Sequence, residues 1–466
     1  MGRSMLLGLL LLAAGRAAAY EYLVGANAHW MPSSASHNEE GNVDIALDGL
    51  QRLGVKLLRT WAFDLNSPSA PGTYADNELM GLDYVVAGAQ RRGMRVILAL
   101  GNFWPAYKGP EHFAADPAVR QLYKDHIAFV LGRANRFTGA TPASDPTIYG
   151  FDVLNEPRCP GCDAAALSDH ISWLTDVTGF TKGLVTSGAM VLAGTEGFFT
   201  PQASGHLLSQ NPGAGAGCEG EDVIEISQLP AVDAMTAHLY WRHMEQMEQT
   251  GWQKPSFEVY INYLDRKLEL YSDLAGGMGK PFILEEFGLT GRFFDEEQRK
   301  AVFAVVFDHL IRAKRAGRPF VTALFWSAAR PGYPDPAGYD IDITQPLTGA
   351  TVGLGDTPLP APSGGAGSPS DGGGGGGSSP HSGRRLLARA GGGGGRRMAQ
   401  LLVTPGTDEL DSYRRGPARA ACAHSASYSW RFDFPSDRVD AAALLARVAS
   451  VNVDGILAEA AAKLAG

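Results

Sequence analysis

Short apolar runs alternate with longer amphipathic segments along most of the chain, and this alternation predicts strands that are each followed by a helix. A run that is apolar along its whole length is typical of a strand in a parallel sheet, because helices cover both faces of such a sheet. Eight runs have this character: Tyr22–Asn27, Val55–Ala62, Arg95–Gly101, Ile148–Asn155, Ala189–Thr195, Val232–Tyr240, Pro281–Phe287 and Phe320–Ser327.

The segments between these runs have helical periodicity. "NVDIALDGLQRLG" places Val43, Leu47 and Leu50 on one face and closes with Gly54. "DEEQRKAVFAVVFDHLIRAKRAG" begins with acids and ends with bases, as the helix dipole favours, and "DPAVRQLYKDHIAFVLGRAN" and "SFEVYINYLDRKLELYSDLAGG" behave likewise. Eight strands alternating with helices predict an α/β fold, a single (β/α)8 TIM barrel. A doubly wound open sheet is the alternative, but no Gly-rich phosphate turn follows the first strand.

The C-terminal part interrupts this pattern. Residues 358–397 are rich in Gly, Ser and Pro and cannot bury enough apolar surface to repay ordering, so we expect a disordered insertion. Beyond it, "SDRVDAAALLARVASV" is amphipathic, with Ser436 as the expected N-cap. A barrel needs a helix outside its eighth strand, and we expect this segment to supply it. A separate amphipathic tail after a linker is the alternative.

Composition and net charge exclude some classes of binding partner. The chain has 466 residues, 45% of them hydrophobic, a formal net charge of −9 and a pI near 5.7. Nucleic acid and anionic membranes require clustered Lys and Arg, so a neutral substrate fits better.

The N-terminus has the layout of a secretory signal peptide. In "MGRSMLLGLLLLAAGRAAA" a short basic region precedes an apolar stretch and a run of small residues. An N-terminal membrane anchor is the alternative. The predicted organisation is a signal peptide at 1–19, a catalytic barrel at 20–357, the insertion at 358–397 and a C-terminal segment at 398–466 that contains the eighth barrel helix. We therefore expect an extracellular protein.

Four cysteines in an oxidising compartment allow at most two disulfides. Only Pro160 and Gly161 separate Cys159 from Cys162, so we expect a local disulfide there. A redox or zinc role for this C-x-x-C would need a second motif that is missing. Whether Cys218 and Cys422 pair is left open.

Two carboxylates follow apolar strands at equivalent places. In "GFDVLNEPRC" the apolar run ends at Asn155-Glu156-Pro157, and "KPFILEEFG" leads into Glu285-Glu286. Reactive groups of a (β/α)8 barrel lie at the C-terminal ends of its strands. Two acids at two strand ends are what cleavage of a glycosidic bond requires: one protonates the leaving oxygen and the other meets the anomeric carbon. The alternative is that both merely cap strands or form surface ion pairs.

These blocks resemble a known family. "GFDVLNEPRC", "VKLLRTWAF", "GLDYVVAGAQRRGMRVILALGNFW", "DPTIYGF", "FILEEFG" and "ALFW" together resemble family 5 glycoside hydrolases, specifically the plant-type endo-β-1,4-mannanases. The resemblance extends from about Tyr22 to Ile343. It implies a secreted retaining endo-β-1,4-mannanase that hydrolyses mannan, galactomannan or glucomannan. We expect a monomer without a cofactor, and no metal, because no cluster of His, Asp and Glu has the spacing of metal ligands.

The resemblance also implies roles around the reacting bond. Glu156 would be the acid/base and Glu286 the nucleophile. Arg59 would lie beside Glu286 and keep it charged. His238 would orient Glu156, and Tyr240 would orient Glu286.

Further residues would bind the sugar. Asn155 would bond the 2-hydroxyl group, and Trp326 would be the stacking floor at the cleaved bond. Four more are expected to line subsites, with a core role as the alternative for each: Trp30, Trp61, Asn102 and Trp104.

The chain departs from the plant pattern in two places. The segment after Trp104 is much shorter than the plant enzymes' third loop, and Trp241 stands where that pattern usually has proline. Three other functions stay open: a β-1,4-glucanase, a mannan transglycosylase, and a non-catalytic carbohydrate-binding wall protein.

Overall fold

A computed structural model describes residues 20–63, 76–102, 116–160, 162–212, 214–241, 256–333, 335, 337–361 and 438–465. Within these ranges eight parallel strands form one sheet in the order β5-β4-β3-β2-β1-β8-β7-β6. The strands are β1 Leu23–Asn27, β2 Leu57–Trp61, β3 Arg95–Ala99, β4 Ile148–Asp152, β5 Met190–Leu192, β6 Met235–Tyr240, β7 Phe282–Gly288 and β8 Phe320–Phe325. The predicted (β/α)8 barrel is confirmed.

Helices surround the sheet. They are α1 Met31–Ser36, α2 Glu40–Arg52, α3 Asp76–Arg91, α4 Pro117–Gly132, α5 Ala164–Leu184, α6 Val223–Ser227, α7 Phe257–Met278, α8 Glu296–Ala316, α9 Ala441–Val448 and α10 Val453–Ala465. Two short 3-10 helices, Gly205–Gln210 and Ala214–Cys218, lie between β5 and α6. In α8 the N-cap Asp295 and Gln298 form a capping box, and Gly317 ends the helix with φ of 63°.

The strands β5 and β6 stand at the two ends of the sheet order, and hydrogen bonds beyond a regular ladder join them. Asp233 N donates to Val191 O at 2.9 Å, and His238 N donates to Glu196 O at 3.2 Å. Between these bonds, the Thr195 hydroxyl donates to Thr236 O at 2.9 Å. Strand β5 ends earlier than predicted because Gly194, with φ of 67°, turns the chain out of the ladder.

Apolar side chains fill the barrel interior and leave one end for polar groups. This cluster takes residues from within or beside every strand: Leu23, Leu57, Ile97, Tyr149, Leu192, Ala234, Ile283, Val321 and Leu324. Most of them lie near the start of their strand. Because all strands are parallel, the opposite, C-terminal end of the barrel remains for the chemistry.

The C-terminal helices pack on the outside of the barrel. The N-cap of α9 is Asp440 rather than the expected Ser436, which lies outside the described residues. Helix α9 contacts α7 and α8, whereas α10, which we did not foresee, contacts α8 and β1. Asp440 N donates to Pro360 O at 2.6 Å, so the chain on either side of residues 362–437 comes together at one point.

The expected signal peptide lies outside the described residues, and so does most of the expected insertion. Within the described ranges, no helix taken alone has both the length and the apolar character of a membrane span. Helices α9 and α10 meet those criteria only as a pair, and they are bent by 91° at the break between them.

One buried lysine has no evident role. Lys267 of α7 is 1% exposed, and within the described part of the chain its Nζ has no hydrogen-bond partner. The nitrogen lies 4.6 Å from the ring centre of Phe199 and 4.4 Å from that of Tyr271. Burial lowers the pKa of Lys267 well below its usual value, and Arg266 acts in the same direction. The charged amine therefore disfavours the folded state.

Replacing Lys267 with methionine is expected to raise the free energy of unfolding by about 1–2 kcal/mol. Because the unfolded chain binds the lysine proton more tightly, wild-type stability rises with pH between the folded and unfolded pKa values of Lys267. The advantage of methionine should shrink over that range. Urea unfolding at neutral and alkaline pH measures both effects. The control Lys300→Met should lose stability, because buried Lys300 pairs with Glu297 at 2.9 Å. A less stable Lys267→Met at neutral pH would contradict the prediction.

Candidate active site

Polar side chains gather at the C-terminal ends of the strands, above the apolar interior. The set comprises Asn27, Arg59, Asn102, Asp152, Asn155, Glu156, Glu196, His238, Tyr240, Glu285, Glu286 and Trp326. Except for the half-buried Glu156, Tyr240 and Trp326, these side chains are buried. Buried charges require partners, and ion pairs supply them for Arg59, Glu156, Glu196 and Glu286.

Arg59 of β2 is the centre of this network. Its NH1 donates to Glu286 Oε1 at 2.6 Å, and its NH2 donates to Asp152 Oδ2 and Asn155 Oδ1, each at 2.6 Å. Burial alone would lower the pKa of Arg59, but the carboxylates of Asp152, Glu285 and Glu286 raise it above its usual value. The guanidinium therefore stays charged and fixes two strand ends with respect to each other.

Two donors hold the carboxylate of Glu286. Arg59 binds Oε1, and the hydroxyl of Tyr240 donates to Oε2 at 2.6 Å. Burial and the nearby Glu286 raise the pKa of Tyr240 well above its usual value, so the phenol remains a donor. Glu286 is 4% exposed. A carboxylate held by a cation and a phenol has a fixed orientation and can face a reacting carbon.

Glu156 follows β4 in an unusual backbone conformation. Its φ is 54°, in the left-handed region that residues other than glycine rarely adopt, and its N–H donates to Gly194 O at 2.9 Å. Arg158 NH2 donates to Oε2 at 3.2 Å, and His238 Nδ1 lies 3.1 Å from Oε1. Strain of this kind is concentrated at functional sites, where the surrounding structure imposes it.

His238 lies between the carboxylates. Its Nδ1 faces Glu156 Oε1 and also Glu286 Oε2, the latter at 3.6 Å. Its Nε2 faces Glu285 Oε2 at 3.6 Å. Burial alone would lower the pKa of His238, but these three carboxyl groups raise it well above its usual value. Carboxyl groups therefore face both nitrogens of the imidazole.

The amide side chains continue the network across β3 and β4. Asn155 Nδ2 donates to Asn102 Oδ1 at 3.0 Å, and Asn155 N donates to Gly101 O at 2.9 Å. With its oxygen on Arg59 and its nitrogen on Asn102, the Asn155 amide has one defined orientation. Such an amide can bind a sugar hydroxyl without reorganising.

The expected aromatic residues lie in different surroundings. Trp326 follows β8 and stacks on His29, with ring centres 4.9 Å apart and planes at 4°. Trp61 stacks on Phe63 at 5.0 Å and lies 6.5 Å from Trp326. Burial lowers the pKa of His29 to about 4, so this ring is a neutral part of the cluster.

Trp30 differs from this cluster. Trp30 is only 9% exposed, and its indole N–H donates to Ala328 O at 2.9 Å. Trp104 lies outside the described residues.

The cysteines follow the acid-bearing turn. Cys159 and Cys162 form a disulfide, and Cys159 N donates to Glu219 O at 2.7 Å. The bridge ties the chain directly after Glu156. Cys218 is also disulfide-bonded, and Cys422 lies outside the described residues.

Several site residues were missed from the sequence. Asn27 is the last residue of β1, so the rule that reactive groups lie at strand ends would have found it. Asp152 is a charge inside an apolar run, which was a visible signal in "GFDVL". Arg158 and Glu196 form an ion pair between two segments that are distant in the sequence, so no local pattern predicts it.

The nearest ligand atoms of Glu156, His238 and Glu286 lie within 4.8 Å of one another. Three such groups are able to hold a metal ion, although their spacing in the sequence gave no sign of it. Arg59 and Arg158 already donate to the two carboxylates, so cationic side chains balance their charge. The arrangement suits a reaction carried by two carboxyl groups.

Comparisons with known proteins agree with this geometry. The family described as GH family 5 beta-mannosidase-like matches residues 106–340. Mannan endo-1,4-beta-mannosidase 1 of Arabidopsis thaliana is 30% identical over 66% of this chain and 77% of its own length. Mannan endo-1,4-beta-mannosidase 1 of Oryza sativa subsp. japonica is 28% identical over 72% and 80%, respectively.

Solved structures share the fold. The endo-beta-1,4-mannanase from Thermotoga petrophila superposes with a TM-score of 0.55 at 24% identity, covering 69% of this chain and 72% of its own. The endo-1,4-beta-mannanase from Rhizomucor miehei gives 0.54 at 23% identity, covering 70% and 91%. On the family match and the Arabidopsis relative, the chain belongs to glycoside hydrolase family 5, among its β-mannosidase-like members.

Proposed function

We propose that this glycoside hydrolase is a retaining endo-β-1,4-mannanase that cleaves internal bonds of mannan, galactomannan or glucomannan. The observation that carries the proposal is the pair Glu156 and Glu286, held at two strand ends by Arg59, Tyr240 and His238. The names of the plant relatives supply the substrate class. A carbohydrate-binding protein without activity would have no need of this charged pair.

The separation of the carboxyl groups supports retention. One carboxylate oxygen of Glu156 and one of Glu286 lie within 4.8 Å of each other. Retaining enzymes hold their carboxyl groups about 5–5.5 Å apart, whereas inverting enzymes need roughly 6.5–9.5 Å to admit a water molecule. The distance favours attack by the enzyme itself.

The reaction then has two displacements. Glu286 attacks the anomeric carbon while Glu156 transfers its proton to the leaving glycosidic oxygen, which leaves a covalent mannosyl-enzyme. Water next attacks the same carbon, Glu156 accepts the water proton, and Glu286 departs as a carboxylate. The fixed amide of Asn155 binds the 2-hydroxyl group, and Trp326 carries the apolar face of the sugar.

The proposal also covers where the protein acts, its oligomeric state and the closure of its barrel. The N-terminal pattern supports secretion, so that the protein meets its polysaccharide outside the cell or in the wall. We propose that it acts as a monomer, and the net charge of −9 supports neither membrane nor nucleic acid as partner. Residues 438–465 are proposed to close the barrel as part of the catalytic domain, because α10 contacts β1.

The test is cleavage of linear mannan, galactomannan, glucomannan and carboxymethylcellulose, with analysis of product lengths. We expect mid-length oligosaccharides from the first three substrates and little from cellulose. Early proton NMR should show the new reducing end first as the β-anomer, because double displacement restores the configuration. Preferential cleavage of carboxymethylcellulose would show that the substrate is a glucan rather than a mannan. An initial α-anomer would exclude a retaining mechanism.

A further inference from the structure

A third carboxyl group, Glu285, lies beside the reacting pair without a direct part in the proposed chemistry. Its side chain is fully buried, and within the described residues neither of its oxygens has a hydrogen-bond partner. Leaving a buried carboxyl group unpaired is unfavourable, so such a group in a folded protein calls for an explanation.

An irregularity in β7 brings this side chain into the site. Against β6, Leu284 pairs with Ala237, and the next paired residues are Glu286 and His238, so β7 carries one additional residue at Glu285. In a regular strand Glu285 and Glu286 would point to opposite faces. The bulge turns both carboxyl groups toward His238, one facing each ring nitrogen at 3.6 Å.

The atoms that face each other are both unsatisfied. His238 Nε2 is buried and, like the oxygens of Glu285, has no hydrogen-bond partner among the described residues. A small rotation would close the 3.6 Å gap to hydrogen-bond length, as catalytic contacts often tighten on substrate binding. Burial, with the nearby Asp152, raises the pKa of Glu285 to about 7 against the opposing effect of Arg59 and His238.

We propose that Glu285 is a positioning residue that holds His238 with a proton on Nδ1, directed at the carboxyl group of Glu156. If Glu285 carries the shared proton, it donates to Nε2, and the neutral ring keeps its hydrogen on Nδ1. If Glu285 is ionised, the ring is a cation, and Nδ1 again bears hydrogen. In both states Nδ1–H donates to Glu156 Oε1 and stabilises the carboxylate that forms when Glu156 gives up its proton.

Nitrogen-15 NMR of histidine-labelled wild-type protein tests the proposal directly. His238 is assigned by comparison with His238→Gln, and its Nδ1 is expected to be protonated in the resting enzyme. A neutral ring with hydrogen on Nε2 alone would overturn the proposal. This measurement needs no substrate, so its result is independent of the mannanase function on which the mechanistic role rests.

Steady-state kinetics are the second test, measured on the polysaccharide that the wild type cleaves best. Glu285→Leu removes the carboxyl group that faces Nε2 and is expected to lower kcat about 10- to 100-fold with little change in KM. Glu285→Gln should stay close to wild type, because its amide nitrogen can donate to Nε2. Wild-type kcat in Glu285→Leu would overturn the proposal, as would equal losses in both variants with an unchanged His238 spectrum.

The matched control is Asp308→Asn. Asp308 is an equally buried carboxyl group, but it lies on the outer helix α8 and accepts a hydrogen bond from Gly355 N at 2.8 Å. It should alter neither kcat nor the His238 spectrum. If Glu285→Leu does not fold, Glu285→Gln and the wild-type spectrum still decide the matter.

Discussion

Glu286→Ala is expected to lower kcat by about 10⁴-fold or more while the protein stays folded. Without this carboxylate no covalent intermediate can form, and loss of a nucleophile removes most of the catalytic effect of its whole constellation. Hydrolysis of a soluble mannan, together with circular dichroism, measures both parts. Near-wild-type activity would show that Glu286 is not the nucleophile.

Two comparisons sharpen this experiment. Azide can enter the space left by the missing side chain, so it should restore part of the rate and yield a glycosyl azide of inverted configuration. Glu225→Ala is the matched control, because Glu225 is an exposed glutamate on α6 outside the site. A comparable loss in Glu225→Ala would mean that the assay reports something other than chemistry at the carboxylate pair.

Ending the chain before Arg438 is expected to abolish folding and therefore activity. Helices α9 and α10 and their connection bury eight sizeable apolar or small side chains against the barrel: Leu444, Val448, Val451, Val453, Ile456, Leu457, Ala460 and Leu464. Each large one contributes about 1.5–3 kcal/mol. A domain has only about 5–15 kcal/mol of net stability, so their joint loss exceeds what the barrel can lose.

Polar contacts add to this dependence. Glu459 of α10 accepts hydrogen bonds from Val352 N at 2.6 Å and Leu354 N at 2.7 Å, and Asp454 pairs with Arg52 at 2.9 Å. The matched control replaces residues 362–397 with a short Gly/Ser linker, which keeps Cys422 and both helices. That variant should retain activity, because the length of a loop has little effect on stability. A truncated chain with unchanged activity and Tm would disprove the proposed closure.

The sequence was sufficient for the strands because a strand buried on both faces is apolar along its length, which is a local property. The exact ends of the strands, in contrast, depend on contacts with distant parts of the chain. Strand β4 stops at Asp152, before the predicted Asn155, because the chain beyond it bonds Gly101 and Gly194 instead of continuing the ladder. Those partners belong to other turns of the barrel.

The same distinction separates the site residues that were foreseen from those that were not. Glu156 and Glu286 could be found because each follows an apolar run with Pro or Gly close behind. Glu285 could not, because alternation along a strand directs it away from Glu286, and only the bulge reverses that direction. The contact of α10 with β1 joins segments that are far apart in the sequence, and the periodicity of apolar residues does not predict such a contact.

That contact has a consequence for biosynthesis. Strand β1 leaves the ribosome roughly 430 residues before α10, which begins at Val453. Chains are synthesised at about 5–20 residues per second, so on the order of tens of seconds pass before α10 can cover the outer surface of β1. During that interval the nascent barrel exposes an apolar strip beside β1, the surface on which chaperones would be expected to act and from which aggregation would begin.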